Sequence, residues 1–272
     1  MFGKLIKNEF KSNIHTLGMI YLTAVVLAGL MALSYVFKIN WISAISTALL
    51  IASAGIAIVV TFLLVIVNFQ KSLYGNQGYL SFTLPVTSGQ LLASKAVVAF
   101  CWMLLSFIFA GVVFIGVYLY ATAMVGDDVK AAISMLRLFS DAIPDKKIVI
   151  EMIILVVVFM FTWIVFLISE LFFAITLSNT RAMQKLGGFA IIVMFFVVFI
   201  ITTVISTLLT KNVPLSLIVT PTAIDFATGV DMNMAAENAF VFGITGFIFR
   251  LIATVILFVA TTALMNSKVN IK

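Results

Sequence analysis

Residues 39–69 read INWISAISTALLIASAGIAIVVTFLLVIVNF, 31 residues without a charge. A bilayer crossing needs about 20 predominantly apolar residues in a helix, so this run spans with length to spare. Working outward, five more runs of the same kind occur, at approximately Leu17 to Phe37, Ala96 to Val125, Ile148 to Ser178, Leu186 to Thr210 and Phe240 to Met265. With 64% hydrophobic and only 10% charged residues, a soluble core has no means of hiding this surface, whereas lipid does. The expected class is an all-α membrane protein with six transmembrane helices, an amphipathic amino-terminal interfacial helix, and a short re-entrant hairpin before the last span. No repeat, linker or low-complexity tract divides residues 1–272, which read as one transmembrane domain. Cys101 is the sole cysteine and His15 the sole histidine. Neither a disulfide frame nor a metal site of two or three such ligands can be assembled, so an intramembrane metalloprotease is excluded.

Lysine and arginine set the orientation. With both termini on one side, that side carries Lys4, Lys7, Lys11, Lys71, Lys95, Arg181, Lys185, Lys268 and Lys272 against Glu9 alone. The other side mixes Lys38, Lys130, Arg137, Lys146, Lys147 and Lys211 with Asp127, Asp128, Asp141, Asp145, Asp225, Asp231 and Glu237. Both termini are therefore expected in the cytoplasm. The formal charge of +6 then reflects a basic membrane face matched to anionic lipid, and no nucleic-acid partner is implied.

The first 16 residues form a leader with no cleavage-like signal, read as part of an uncleaved anchor. At 100° per residue Phe2, Leu5, Ile6 and Phe10 share one face, with Lys4, Lys7 and Lys11 nearly opposite, as in a helix lying in the interface plane. Glu9 falls on the apolar side and is expected to seek a partner, either loop backbone or a cation such as Arg181. Positive-inside anchoring alone is the competing role for this leader.

Between the second and third spans lies a segment over residues 70–95, in which Tyr79, Leu80, Phe82, Leu84 and Pro85 follow closely. A connecting loop has no use for such side chains in water, so it is expected to dock a soluble partner; folding back on its own helix ends is the alternative. Together, the basic leader, the six spans and the loop reading Gly78-Tyr79-Leu80-Ser81-Phe82-Thr83-Leu84-Pro85-Val86, followed by Lys95, resemble the permease subunits of type-2 ATP-binding-cassette exporters, especially those of Gram-positive bacteria. The likeness covers the whole chain in layout and about 20 residues in motif. Where an acidic residue often precedes the Gly-Tyr-Leu, this chain has Asn76 and Gln77. The resemblance implies a coupling helix in this loop resting on a separate cytoplasmic ATPase, with ATP and Mg bound by that partner and no cofactor on this chain. It also implies a second permease copy or paralogue, and a bacterial plasma membrane. No G-x-x-x-x-G-K-[ST] phosphate loop occurs in the sequence, so hydrolysis has to come from another polypeptide.

Residues 213–239 are apolar but interrupted by Pro214, Pro221 and Gly229, too short and broken to cross. A re-entrant or interfacial hairpin is expected, an ordinary loop on the headgroups being the alternative. By resemblance it is built of short re-entrant helices, with Asp225 and Asp231 capping or facing an exit. Residues 126–147 read as a solvated outer helix around Ile133, Leu136 and Phe139.

Two charges, Glu170 and Arg250, stand well inside the apolar runs. Arg250 is expected where the last crossing truly starts, after a hairpin running to Phe249; Glu170 is expected near the cytoplasmic end of the fourth span, hydrated or paired with Arg181 or Lys185. The two are not paired with each other. Ala44, Ala48 and Ala52 form a small-residue stripe on the second span, and Phe195, Phe199, Thr202 and Ser206 share a face of the fifth that is a candidate pathway wall. The functional expectation is a permease, not itself an enzyme, that exports a hydrophobic or amphipathic substrate, a peptide being preferred, by alternating access. An ion-driven secondary carrier and a non-transporting membrane scaffold or sensor are the alternatives.

Overall fold

The structure is a computed structural model, and its described residues are 2–37, 40–75, 87–125, 146–180, 183, 189–220, 224–228 and 240–267. Their order is α1 (Phe2–Val36), α2 (Asn40–Leu73), α3 (Ser88–Val125), α4 (Lys146–Ser178), α5 (Phe189–Asn212), β1 (Leu215–Val219), β2 (Ile224–Thr228), β3 (Phe240–Gly243) and α6 (Ile244–Ser267). Each helix contains a stretch long and apolar enough to cross a membrane. The chain is a multi-pass, α-helical membrane protein. Its helices pack as two compact units, one built from α1, α2 and α3, the other from α4 to α6 with the strands.

In the first unit the buried positions recur every seven residues. Leu17, Ala24 and Met31 on α1 continue the line of half-buried Phe10; Leu92, Ala99, Ser106 and Val113 do the same on α3. A seven-residue period keeps one seam of a helix facing its neighbours. Small residues dominate the seam of α2, where Ser43, Ser46, Ser53, Ala54 and Ala57 are buried. Lipid is as apolar as leucine, so close backbone approach at small side chains holds such helices together. The Ala44, Ala48, Ala52 stripe is not the packing face: all three are exposed.

The leader is not a separate element. α1 runs unbroken from Phe2 into the first span, because no proline interrupts it and its apolar positions keep one phase. Ile6 and Phe10 turn onto a cluster of Leu17, Val98 and Trp102 instead of lying among headgroups. Lys7 and Lys11 are exposed, while the side chains of Phe2, Lys4 and Leu5 lie outside the described residues.

The segment between α2 and α3 is shorter than residues 70–95, because both helices extend into it. Helix α2 ends where Tyr74 and Gly75 both donate their N–H groups to the Gln70 carbonyl. A Cβ on Gly75 would meet the Lys71 carbonyl oxygen at 2.9 Å, so glycine is required by this approach. Helix α3 starts at a reciprocal cap in which Gln90 N–H donates to Thr87 Oγ1 and Thr87 N–H donates to Gln90 Oε1, both at 3.3 Å.

In the second unit, α4 is the central post, buried on consecutive positions from Ile168 to Phe172. The expected hairpin before the last span is present but consists of strands, not short helices. Pro214 and Pro221 bar a helix, and the β-branched pair Ile218 and Val219 favours extension. β1 pairs antiparallel with β2, Val219 opposite Ile224, and with β3, Ser216 opposite Gly243, in the order β2-β1-β3. Val219 and Ile224 pack with Phe242 on the first turns of α4 at Ile148, Val149 and Met152. Thr245 Oγ1 donates to the Val213 carbonyl and accepts from Leu215 N–H at 3.1 Å, which pins the start of α6 to the end of α5. The last crossing thus begins at Ile244, six residues before Arg250.

Substitution of Gly75 by Ala is expected to lower the unfolding temperature of the detergent-solubilised protein, and Thr87→Val to cost about 1 kcal/mol through the lost cap. Gly111→Ala, where a Cβ meets nothing within 4 Å, should instead be neutral or stabilising. Thermal unfolding followed by circular dichroism distinguishes these outcomes.

Candidate functional site

Among the described residues, polar side chains that join helices are found in both units. In the first unit, Lys95 on the second turn of α3 forms an ion pair with Glu9 on α1. The lysine side chain is 4% exposed and the glutamate 26%, so the lysine is the buried member. Next to it, Phe10 stacks on Trp102 with ring centroids 4.5 Å apart. One turn of α1 therefore grips α3 by a charge pair and a ring pair together. Arg181 lies outside the described residues, and the partner that these give Glu9 is thus Lys95. Sequence reasoning missed it by assigning Lys95 to the loop; the Thr87-x-x-Gln90 cap was the signal that α3 had already begun.

Deeper in the same unit, three hydroxyls connect all three helices. Tyr21 Oη lies 3.0 Å from Ser106 Oγ, Ser106 Oγ 2.6 Å from Thr61 Oγ1, and Thr61 donates to the Ala57 carbonyl at 2.7 Å. Because Thr61 has spent its proton on the backbone, Ser106 donates to Thr61 and Tyr21 donates to Ser106. The chain of bonds has one direction and no orphan at its core. Elsewhere the hydroxyls mostly return to carbonyls three or four residues back in their own helix, as Ser53, Thr176 and Thr261 do.

In the second unit a joining polar side chain lies on α4. Glu170 is 2% exposed, and the Thr202 hydroxyl of α5 donates to its carboxylate. Arg250 on α6 follows by one turn Gly246, which faces Ser206 and Thr210 of α5, and so comes level with Thr202. No ion-pair contact within 4 Å joins Arg250 to Glu170. The two charges are thus not paired with each other, as expected, although Glu170 is sealed from water and not hydrated, and the start of α6 at Ile244 places Arg250 inside the last crossing and not at its beginning. Arg181 and Lys185 lie outside the described residues. Lys147 and Glu151, 3.8 Å apart on an open face of α4, are by contrast a surface pair of little energetic weight.

Of the remaining sequence candidates, Tyr79, Leu80, Phe82, Leu84 and Pro85 lie outside the described residues, as do Pro221 and Asp231. Pro214 is half-buried at the α5–β1 junction, and Asp225 is exposed on β2 opposite Ile218. The four α5 residues differ in their surroundings. Thr202 is buried on Glu170 and Ser206 is half-buried beside Gly246 of α6, whereas Phe199 is exposed and stacks on Phe195 at 6.2 Å. No group of three or more His, Cys, Asp or Glu among the described residues is placed to hold a metal ion. Comparison with protein-family models, curated proteins and solved structures finds no match.

The two members of the first ion pair are not equivalent, which gives an asymmetric prediction. Glu9→Gln strands a lysine sealed from water and should cost roughly 2–3 kcal/mol; Lys95→Met leaves a carboxylate that water reaches and should cost about 1 kcal/mol or less. The double variant is expected to resemble Lys95→Met. Equal losses in the two single variants, measured by thermal unfolding in detergent, would contradict this account of the pair.

Proposed function

We propose that this chain is the permease subunit of an ATP-driven exporter, moving a hydrophobic or amphipathic substrate outward by alternating access with force supplied by a separate ATPase. The observation that carries the reading is the construction around residues 76–86. An apolar, aromatic segment is delivered by a tight helix end at Gly75 and received by a capped helix start at Thr87, and α3 is bound within two turns to the amino-terminal turns of α1 through Lys95 and Glu9. A push on this segment is passed into α3 and α1 together, since the buried pair and the Phe10–Trp102 stack leave them little freedom to slip. The sequence holds no phosphate loop of its own, which is why the reading requires a partner with ATP and Mg. Cytoplasmic termini, a bacterial plasma membrane and a second permease copy belong to the same proposal; a peptide is the preferred cargo.

One observation favours a second reading. Glu170, bonded to Thr202, and Arg250 both lie among apolar helices, and intramembrane ionisable groups are what an ion-driven carrier uses. A carrier transports with no ATPase present, so the two readings separate cleanly. A scaffold that docks a signalling protein through the same segment would bind without any flux.

The test is a mild-detergent pull-down of the chain from its native membrane, with identification and ATPase assay of any soluble subunit recovered. A stoichiometric ATPase is expected, lost on Phe82→Ala and Leu84→Asp while the helical content stays unchanged. Recovery of folded permease alone, with flux intact after reconstitution, would replace the exporter by the carrier.

A further inference from the structure

Glu170 has two possible partners and touches only one. The carboxylate, sealed within α4, accepts from Thr202, while Arg250 is held beyond ion-pair distance on α6. The helices show why all three converge. A Cβ on Gly246 would lie 3.8 Å from Ser206 Oγ and 4.0 Å from Thr210 Oγ1, so this face of α6 meets α5. Arg250 follows Gly246 by one turn and Thr202 precedes Ser206 by one turn, which brings them level on antiparallel neighbours. On the α4 side, Phe166 packs against Phe249, Ala253 and Leu257, one turn from Glu170.

Thr202 is free to release the carboxylate. Its Oγ1 also lies 3.0 Å from the Val198 carbonyl and 3.1 Å from the Phe199 carbonyl, and one hydroxyl proton serves a single acceptor at a time. Letting go of Glu170 therefore leaves Thr202 bonded to its own helix, as the other helical threonines are. Arg250 gains in the exchange, because a guanidinium among apolar helices is stabilised by a direct carboxylate contact. Glu170 and Thr202 keep a partner in both arrangements, the condition under which a packed contact has two discrete states instead of one.

We propose that Glu170 is the exchange point of a two-position contact between α4 and α6, bonded to Thr202 in one position and to Arg250 in the other. The start of α6 is tied through Thr245 to Val213 and Leu215, so a shift of α6 carries the β1–β3 sheet with it. The inference concerns the chain alone and holds whether or not an ATPase joins it.

The experiment places spin labels at Trp163 on α4 and Ile252 on α6, both exposed, in full-length Cys101→Ser protein in lipid nanodiscs, and reads the distance distribution by double electron–electron resonance. Thr202→Val removes the competing hydroxyl at constant shape and is expected to move the population toward the Arg250-bound position by about fivefold, the change one ordinary hydrogen bond produces. Arg250→Met is expected to move it the opposite way, and in a Glu170→Gln background neither substitution should shift it further. Identical distributions in wild type and Thr202→Val, shifts of the two variants in the same direction, or shifts that persist without Glu170 would each overturn the proposal. Where Arg250→Met does not give monodisperse protein, the near-isosteric Thr202→Val alone is decisive.

Discussion

A backbone N–H or C=O inside hydrocarbon has no water to bond, and each one left unpaired costs several kcal/mol. The architecture follows from that constraint. Residues 39–69 have no choice but to close their hydrogen bonds within one helix, and α2 accordingly runs unbroken from Asn40 to Leu73. The side-chain hydroxyls obey the same rule, turning back to carbonyls of their own helix wherever no neighbour offers better. The strands obey it differently. β1 is paired on both sides, but β2 and β3 each keep an outer edge without a partner among the described strands. Such edges are tolerated at the end of a span and not in its middle, and the sheet packs over the first turns of α4.

Once backbone groups are satisfied, apolar burial says little about which helices adjoin, since lipid accepts a leucine as readily as a protein does. Specific contact then rests on close approach and on polar bonds. The first unit uses both: a seam of serine and alanine on α2, and a directed chain of hydroxyls from Tyr21 through Ser106 to Thr61. Glu9 and Lys95 add a charge pair where α1 and α3 begin. In the second unit Gly246 admits the hydroxyl face of α5, and Glu170 sits where three helices meet.

The fold class and the six crossings were legible because a span announces itself by length and lack of charge, quantities that survive any tertiary arrangement. The boundaries were less so. Lys95 looked like a flanking cation by hydropathy, although the Thr87–Gln90 cap marks an earlier start; charge and capping gave conflicting signals, and the cap decided. The leader looked interfacial because its moment is that of a surface helix, yet the apolar face that lipid headgroups would accept is equally suited to α3, and periodicity cannot tell the two apart. Strands over 215–228 were hidden for a related reason: proline ruled out a crossing helix without saying what replaced it. Partner choice was the least legible. Glu170 and Arg250 lie 80 positions apart, and only the three-dimensional meeting of α4, α5 and α6 relates them.

The two charged sites differ in what their surroundings allow. Around Lys95 the alternatives are poor: its side chain is buried, its partner reaches it from one direction, and the Phe10–Trp102 stack fixes the register of the helices that carry them. Such a pair transmits displacement because it has no second arrangement to relax into. Around Glu170 the donor has somewhere else to go, since Thr202 also reaches two carbonyls of its own helix. The first tie is fixed by its surroundings, whereas the second rests on a hydroxyl that has other acceptors on its own helix.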